Sequence, residues 1–143
     1  MKEENPSMDF KFSVPVQIRM SDLDPFAHVN NRIQCNYMDY GRSAYMQHVT
    51  GEKIDWQTMD MVLVHLELDF KHPILFHDHV LCETKVYEVG NKSFKMIQQL
   101  KDAQTGQIKT ICKSVLVGFD RNTQTSISIP EKYRRCFAAF ENI

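Results

Sequence analysis

Two carboxylates, a histidine and two carboxamides fall in one short run: Asp22, Asp24, His28, Asn30 and Asn31. The run reads as a turn between the end of a strand and the start of a helix. A helix start offers unpaired backbone N–H groups and the positive end of the helix dipole. A thioester or ester carbonyl held there would meet a base or nucleophile on one side and an oxyanion donor on the other. Asp24 is the candidate base or nucleophile. On the residue types alone, an ordinary turn aspartate that hydrogen-bonds nearby amides is the better reading. Asp22 is the second candidate base, with a solvated loop carboxylate as its plainer role. His28 can orient substrate, carry a proton or fix the loop through a backbone carbonyl, and the loop-fixing role ranks first. Asn30 suits a helix N-cap. Asn31 would matter through its backbone N–H.

The elements around the run follow from periodicity. Phe10 to Met20 alternates in part, which predicts a strand, and Pro15 assigns it to an edge. Ser21 to Val29 is a turn with Pro25 at its bend. From Asn31 to about Val49, Ile33, Tyr37, Tyr40, Ala44, Tyr45 and His48 recur at helical spacing, predicting one apolar side, with Gly51 as the stop. Met61 to Lys71 alternates cleanly. Val62, Val64, Leu66, Leu68 and Phe70 are expected on one face, with Leu63, His65, Glu67, Asp69 and Lys71 on the other. Strands are expected over 80–89, 93–100 and 108–119, a short edge near Ile127 and Ile129, and a final helix over 130–141 opened by Pro130. One long helix followed by consecutive strands predicts an α+β domain, an antiparallel sheet with the helix across one face. A parallel βαβ arrangement would need repeated helices.

The sequence has 143 residues and a formal net charge of −1. That length suits a single domain spanning 1–143, with residues 1–9 frayed. The charge gives no general attraction to nucleic acid or to an anionic membrane. No apolar run follows the charged start, so no signal peptide is expected, and no stretch approaches a membrane span. Cys35, Cys82, Cys112 and Cys136 are too scattered for a C-x-x-C site and read as free thiols in a cytoplasmic protein. His72, His77 and His79 lack the companion ligands of a metal site and read as surface histidines, so no metal is expected. G-x-S-x-G and P-loop motifs are absent, which argues against a serine α/β-hydrolase and an NTPase.

The pattern Asp22-x-Asp24-x-x-x-His28-Val29-Asn30-Asn31, then Tyr37-Met38-Asp39-x-Gly41-Arg42, resembles hotdog-fold acyl-CoA thioesterases of the 4-hydroxybenzoyl-CoA thioesterase type. The likeness runs over roughly residues 12 to 135. It implies a curved antiparallel sheet wrapped around a central helix. It implies hydrolysis of an acyl thioester to a free acid and coenzyme A, without a cofactor beyond the coenzyme A of the substrate. Asp24 would attack the carbonyl or activate water, the Asn31 N–H would hold the oxyanion, and His28 would support the loop. The likeness also implies a homodimer or homotetramer with its site between subunits.

A second similar segment, Val89-Gly90-Asn91-Lys92-Ser93, implies contact with the pantetheine arm near a partner's site. Lys92 would meet a coenzyme A phosphate. Gly90 and Ser93 join Asn30 and Tyr37 as substrate-binding candidates, and Tyr37 reads as core or pocket wall. Arg121, Lys132, Arg134 and Arg135 are further phosphate candidates, or a solvated helix face. Asp39 and Arg42 read as a structural helix pair. The sequence departs from the family at Gln34, where an aromatic is usual, and at Ala27, where glycine is common; Ala27 implies milder backbone angles. Rival readings are an acyl-carrier-protein thioesterase, a non-catalytic acyl-thioester-binding or assembly module, and a dehydratase.

Overall fold

The computed structural model describes residues 6–143; the first five residues of the terminus expected to fray lie outside that range. The elements are β1 (Ser13–Pro15), α1 (Asn31–Thr50), β2 (Met61–Phe70), β3 (Val80–Val89), β4 (Ser93–Asp102), β5 (Ile108–Asp120), β6 (Thr125–Ile127) and α2 (Glu131–Glu141). All pairings are antiparallel, in the order β1-β3-β4-β5-β2. β6 pairs with β5 beyond the end of β4.

α1 starts and stops where the sequence predicts. The Asn30 side chain accepts the Arg32 N–H at 2.9 Å. Gly51 closes the helix in the left-handed region at φ 70°, which costs glycine little. The buried face is another matter. Gln34, Tyr37, Met38, Gly41, Arg42, Tyr45 and Met46 are buried, while Tyr40 and His48 are exposed. Polar residues on the inner face of the sheet explain the difference. Arg42 Nη1 donates to Gln98 Oε1 at 2.9 Å, and Gln98 Nε2 donates to the Met38 carbonyl and to Thr84 Oγ1, both at 3.0 Å. The Thr110 hydroxyl donates to Gln34 Oε1. Satisfied in this way, polar side chains can be buried.

Around this polar layer the core forms two clusters. One joins Val29, Tyr37, Met38 and Ile74 to Val80, Cys82, Leu100 and Cys112, under the first half of α1. The other joins Tyr45 and Met46 to Val86, Phe94, Met96 and the α2 residue Phe137.

Two strands differ from expectation. β1 covers only three residues of the expected 10–20. After the Val16 N–H bonds to the Val80 carbonyl at 2.9 Å, the chain leaves β3 for a 3-10 turn at Met20–Asp22. The Asp22 carboxylate takes the Arg19 N–H at 2.9 Å, replacing a strand partner. Pro15 does lie on an edge strand. In β2 the register slips between Leu63 and His65, leaving Val64 as a bulge. Met61 and Leu63 therefore line a groove with Arg42, Ser43 and Met46 on the helix side of the sheet. Val62 no longer shares a face with Leu66, Leu68 and Phe70.

Candidate active site

The turn before α1 is closed by its own backbone. The Asp24 N–H donates to the His28 carbonyl at 2.7 Å, and the Ala27 N–H to the Asp24 carbonyl at 3.0 Å. Asp24 Oδ1 accepts the N–H groups of Phe26 at 2.9 Å and His28 at 3.1 Å. Two amides thus pin the carboxylate, and Oδ2 meets no donor among the described residues. Ala27 sits at φ 61°. The milder angles expected of it are not adopted, and alanine there bears about 1 kcal/mol of left-handed strain. The turn is held against the β2–β3 connection by a bridge between His28 and Leu75 and by the Val29 N–H on the Ile74 carbonyl at 2.8 Å. The loop is therefore fixed by the backbone of His28, a residue that also lines the cavity described next.

At the helix start, Asn30 Oδ1 takes the Arg32 N–H, and the Asn30 carbonyl accepts Ile33 at 2.9 Å and Gln34 at 3.1 Å. The Asn31 N–H meets no acceptor among the described residues. A cavity of about 200 Å³ brings Asp24, His28 and Asn31 together with Gln34, Phe70 and His72. The three residues read from the sequence as catalytic thus share one space, with a carboxylate oxygen and a helix N–H both unspent.

Asp22 belongs elsewhere. It is 8% exposed, and its Oδ2 accepts both the Arg19 N–H and the Tyr37 hydroxyl, the latter at 2.6 Å. Burial, reinforced by Asp22, raises the Tyr37 phenol above its ordinary pKa. Asp22 and Tyr37 line a larger cleft of about 440 Å³ with Arg19 and Asn36. That cleft is not shared with Asp24, and its carboxylate is engaged in holding the fold.

The hairpin candidates Gly90, Lys92 and Ser93 sit beside the cluster under the second half of α1, whereas Asp24 adjoins the first. A ten-residue strand, β3, separates the two ends, about 30 Å at 3.3 Å per residue. Within one chain they do not meet. The Gly90 N–H closes the hairpin on the Ser93 carbonyl at 2.7 Å. Arg134 donates to the Gly90 and Asn91 carbonyls, both at 2.6 Å. Lys132 pairs with Glu52 at 3.0 Å, Arg135 with Glu131 at 3.6 Å, and Arg121 donates to the Met59 carbonyl at 2.9 Å. Lys92 is exposed on the hairpin. Asp39 and Arg42 pair as read, but Arg42 is buried and also anchors α1 to Gln98. All four cysteines are free thiols. Burial pushes Cys82 up to about 12 and Cys112 up to about 11. Gln34, read from the sequence as a departure that alters the pocket, does line this cavity, and its bond to Thr110 is a contact the sequence did not signal.

A family model described as the Thioesterase-like superfamily matches residues 18–137. The chain belongs to that superfamily. No curated protein matches the sequence. Among solved structures, a thioesterase from Thermus thermophilus complexed with coenzyme A and Zn is 29% identical, with a TM-score of 0.82 over 96% of this chain and 99% of that one. A "predicted thioesterase" from Bacillus stearothermophilus is 23% identical, with a TM-score of 0.81 over 90% and 94%. A mutant 4-hydroxybenzoyl CoA thioesterase complexed with 4-hydroxybenzoyl CoA is 16% identical, with a TM-score of 0.79 over 88% and 97%. These likenesses establish the hotdog fold. The superfamily supports thioester hydrolysis as the general class of reaction for this member. Among the described residues, no helix is long and apolar enough to cross a membrane.

Proposed function

We propose that this superfamily member hydrolyses an acyl-CoA thioester, with Asp24 as nucleophile or general base. The carrying observation is the pinned Asp24 carboxylate, with Oδ2 open, sharing a cavity with the unspent Asn31 N–H. In this scheme the acyl carbonyl oxygen points at the Asn31 N–H. Either Oδ2 adds to the carbonyl carbon and water later cleaves the acyl-aspartyl anhydride, or Oδ2 takes a proton from the attacking water. In both routes the C–S bond breaks, the sulfur leaves with its electron pair and gains a proton, and the products are the free acid and coenzyme A. The donor is worth most where negative charge develops on the oxygen. His28 supports the turn, Asn30 caps the helix, and a cytoplasmic setting suits the four free thiols.

The reading includes a homodimer built on β2. This ten-residue strand ends the sheet, and Val62, Val64, Leu66 and Phe70 are 39%, 57%, 37% and 43% exposed. A long apolar edge invites a second strand. Antiparallel pairing of two copies would set one copy's Met61 end against the other's Phe70 end. Met61 and Ser93 share the Val117–Gly118 end of β5, and Phe70 adjoins the Asp24 cavity. The partner's hairpin end is thereby carried toward this protomer's Asp24, where an exposed lysine can meet a coenzyme A phosphate.

The test is free-thiol release from short, medium, long and aromatic acyl-CoAs by the wild type and by Asp24→Asn. Wild-type turnover should fall by about 10² or more in the variant. A fully active variant refutes the assignment of Asp24. No wild-type turnover on any member moves the reading to a carrier-protein thioester or to a binding module.

A further inference from the structure

We propose that the Gln34 carboxamide is a second hydrogen-bond donor to the carbonyl of the bound thioester, beside the Asn31 N–H; this rests on the thioesterase reading above. Gln34 is 2% exposed, so its polar atoms need partners. The Thr110 hydroxyl donates to Oε1, which fixes the carboxamide with Nε2 as its remaining donor. Among the described residues Nε2 meets no acceptor. It is also not among the sealed, unpartnered polar atoms, which are Asp60 Oδ1, Gln99 Oε1 and Ser114 Oγ. Gln34 lines the cavity that also holds Asp24, His28 and Asn31, with Nε2 as its uncommitted donor.

Direction supports the role. Residues three apart share a helix face, and long helical side chains lean toward the N-terminus. Position 34 therefore lies on the same helix face as Asn31, one turn further along. Thr110 is wholly buried and belongs to β5, so the donor is braced by the sheet. A carboxamide held by a second residue fits the preorganised donor that a developing oxyanion needs. A phenylalanine or tyrosine at position 34 would offer no such N–H.

The experiment compares the wild type with Gln34→Glu, Gln34→Met and Thr110→Val, on the acyl-CoA that the wild type turns over best. Gln34→Glu keeps the size and the Thr110 bond but replaces the donor with an acceptor. It decides the matter if Gln34→Met fails to fold. Removing one such donor typically lowers kcat by about 10²–10³. That fall is expected for both Gln34 variants, with KM nearly unchanged. Thr110→Val should fall less, since the donor stays but loses its brace. A second readout is spectroscopic. In an Asp24→Asn background, acyl-CoA labelled with ¹³C at the carbonyl is bound and its infrared band recorded. Adding Gln34→Met or Gln34→Glu should move that band to higher wavenumber, because a hydrogen bond that polarises the carbonyl is gone. Folded Gln34 variants with wild-type kcat, or an unmoved band, overturn the proposal while leaving Asp24 in place. A wild type with no turnover on any acyl-CoA overturns the acyl-CoA reading and removes the support for Gln34 as a donor.

Discussion

Gly41 lets α1 approach the sheet closely, and replacing it with alanine tests how rigidly the helix is seated. A Cβ at position 41 would lie 2.3 Å from Cys82 Sγ, 3.2 Å from Cys82 Cβ and 3.1 Å from Gln98 Nε2. Ordinary carbon contacts fall near 3.5–4.0 Å, so the helix must lift by roughly an ångström or the buried sulfur must turn away. In an exposed helix, Gly→Ala gains about 1 kcal/mol of propensity. Overpacking a filled core costs about 1–3 kcal/mol. Lifting the helix also stretches the Arg42–Gln98 and Gln98–Met38 bonds, and a typical hydrogen bond contributes about 1 kcal/mol. The net expectation is a destabilisation of about 2 kcal/mol. Urea unfolding followed by circular dichroism, at one fixed protein concentration, reads this directly. Cys82→Ala removes the obstructing sulfur. The double variant should therefore be less destabilised than the sum of the singles by at least about 1 kcal/mol. If Gly41→Ala stabilises the protein, or the two changes simply add, the close seating of the helix is refuted.

Three further outcomes follow from the same geometry. Tyr37→Phe strips one donor from the buried Asp22 carboxylate and should cost about 1–2 kcal/mol in urea unfolding, while kcat holds, because Tyr37 lines the other cleft; a collapse of kcat would return Tyr37 to the site. The burial that raises Cys82 and Cys112 stabilises the protonated native state, fully below the ordinary thiol value of 9.0 and progressively less as pH climbs toward about 12. The native protein should accordingly yield Cys35 and Cys136 to an aromatic disulfide reagent and withhold the other two, and Cys82→Ala should flatten the alkaline fall in the urea midpoint; four equally fast thiols would contradict this. Val64→Lys places a charge on the open edge of β2 and should turn a dimer into a monomer by light scattering, with turnover falling in step; an unaltered dimer, or a fully active monomer, removes β2 as the interface.

What could be read from the sequence was local. Asn30, Asn31 and Gly51 mark the ends of α1 through chemistry that acts within a few residues. Asp24, His28 and Asn31 were legible together because one turn holds all three. The misreadings came from partners distant in sequence. The burial of Gln34 and Arg42 is not legible until Thr110 and Gln98 arrive from β5 and β4. The two faces of β2 alternate cleanly on paper, yet a single bulge at Val64 regroups them. β1 stopped early because a side chain, Asp22, supplied what the ladder would have supplied. Ala27 took left-handed angles because the bonds closing the turn over-determine it. The hairpin at Gly90 to Ser93 lies a strand length from Asp24, so no reading of one chain can close that gap.

The polar layer beneath α1 makes the helix an indexed part. A helix on a purely apolar surface can slide by one turn, about 5.4 Å, with one aliphatic contact replacing another. Here such a slide would separate Gln34 from Thr110, Arg42 from Gln98 and the Met38 carbonyl from Gln98. Each buried group left unmet costs about 1–3 kcal/mol. These bonds act as dowels between helix and sheet, and the Asn31 N–H lies at the end of the part they locate. Alignment of the proposed oxyanion donor is thus set by atoms several turns away, and on that reading substitutions at Gln98 or Thr84 would blunt turnover without ever touching a substrate.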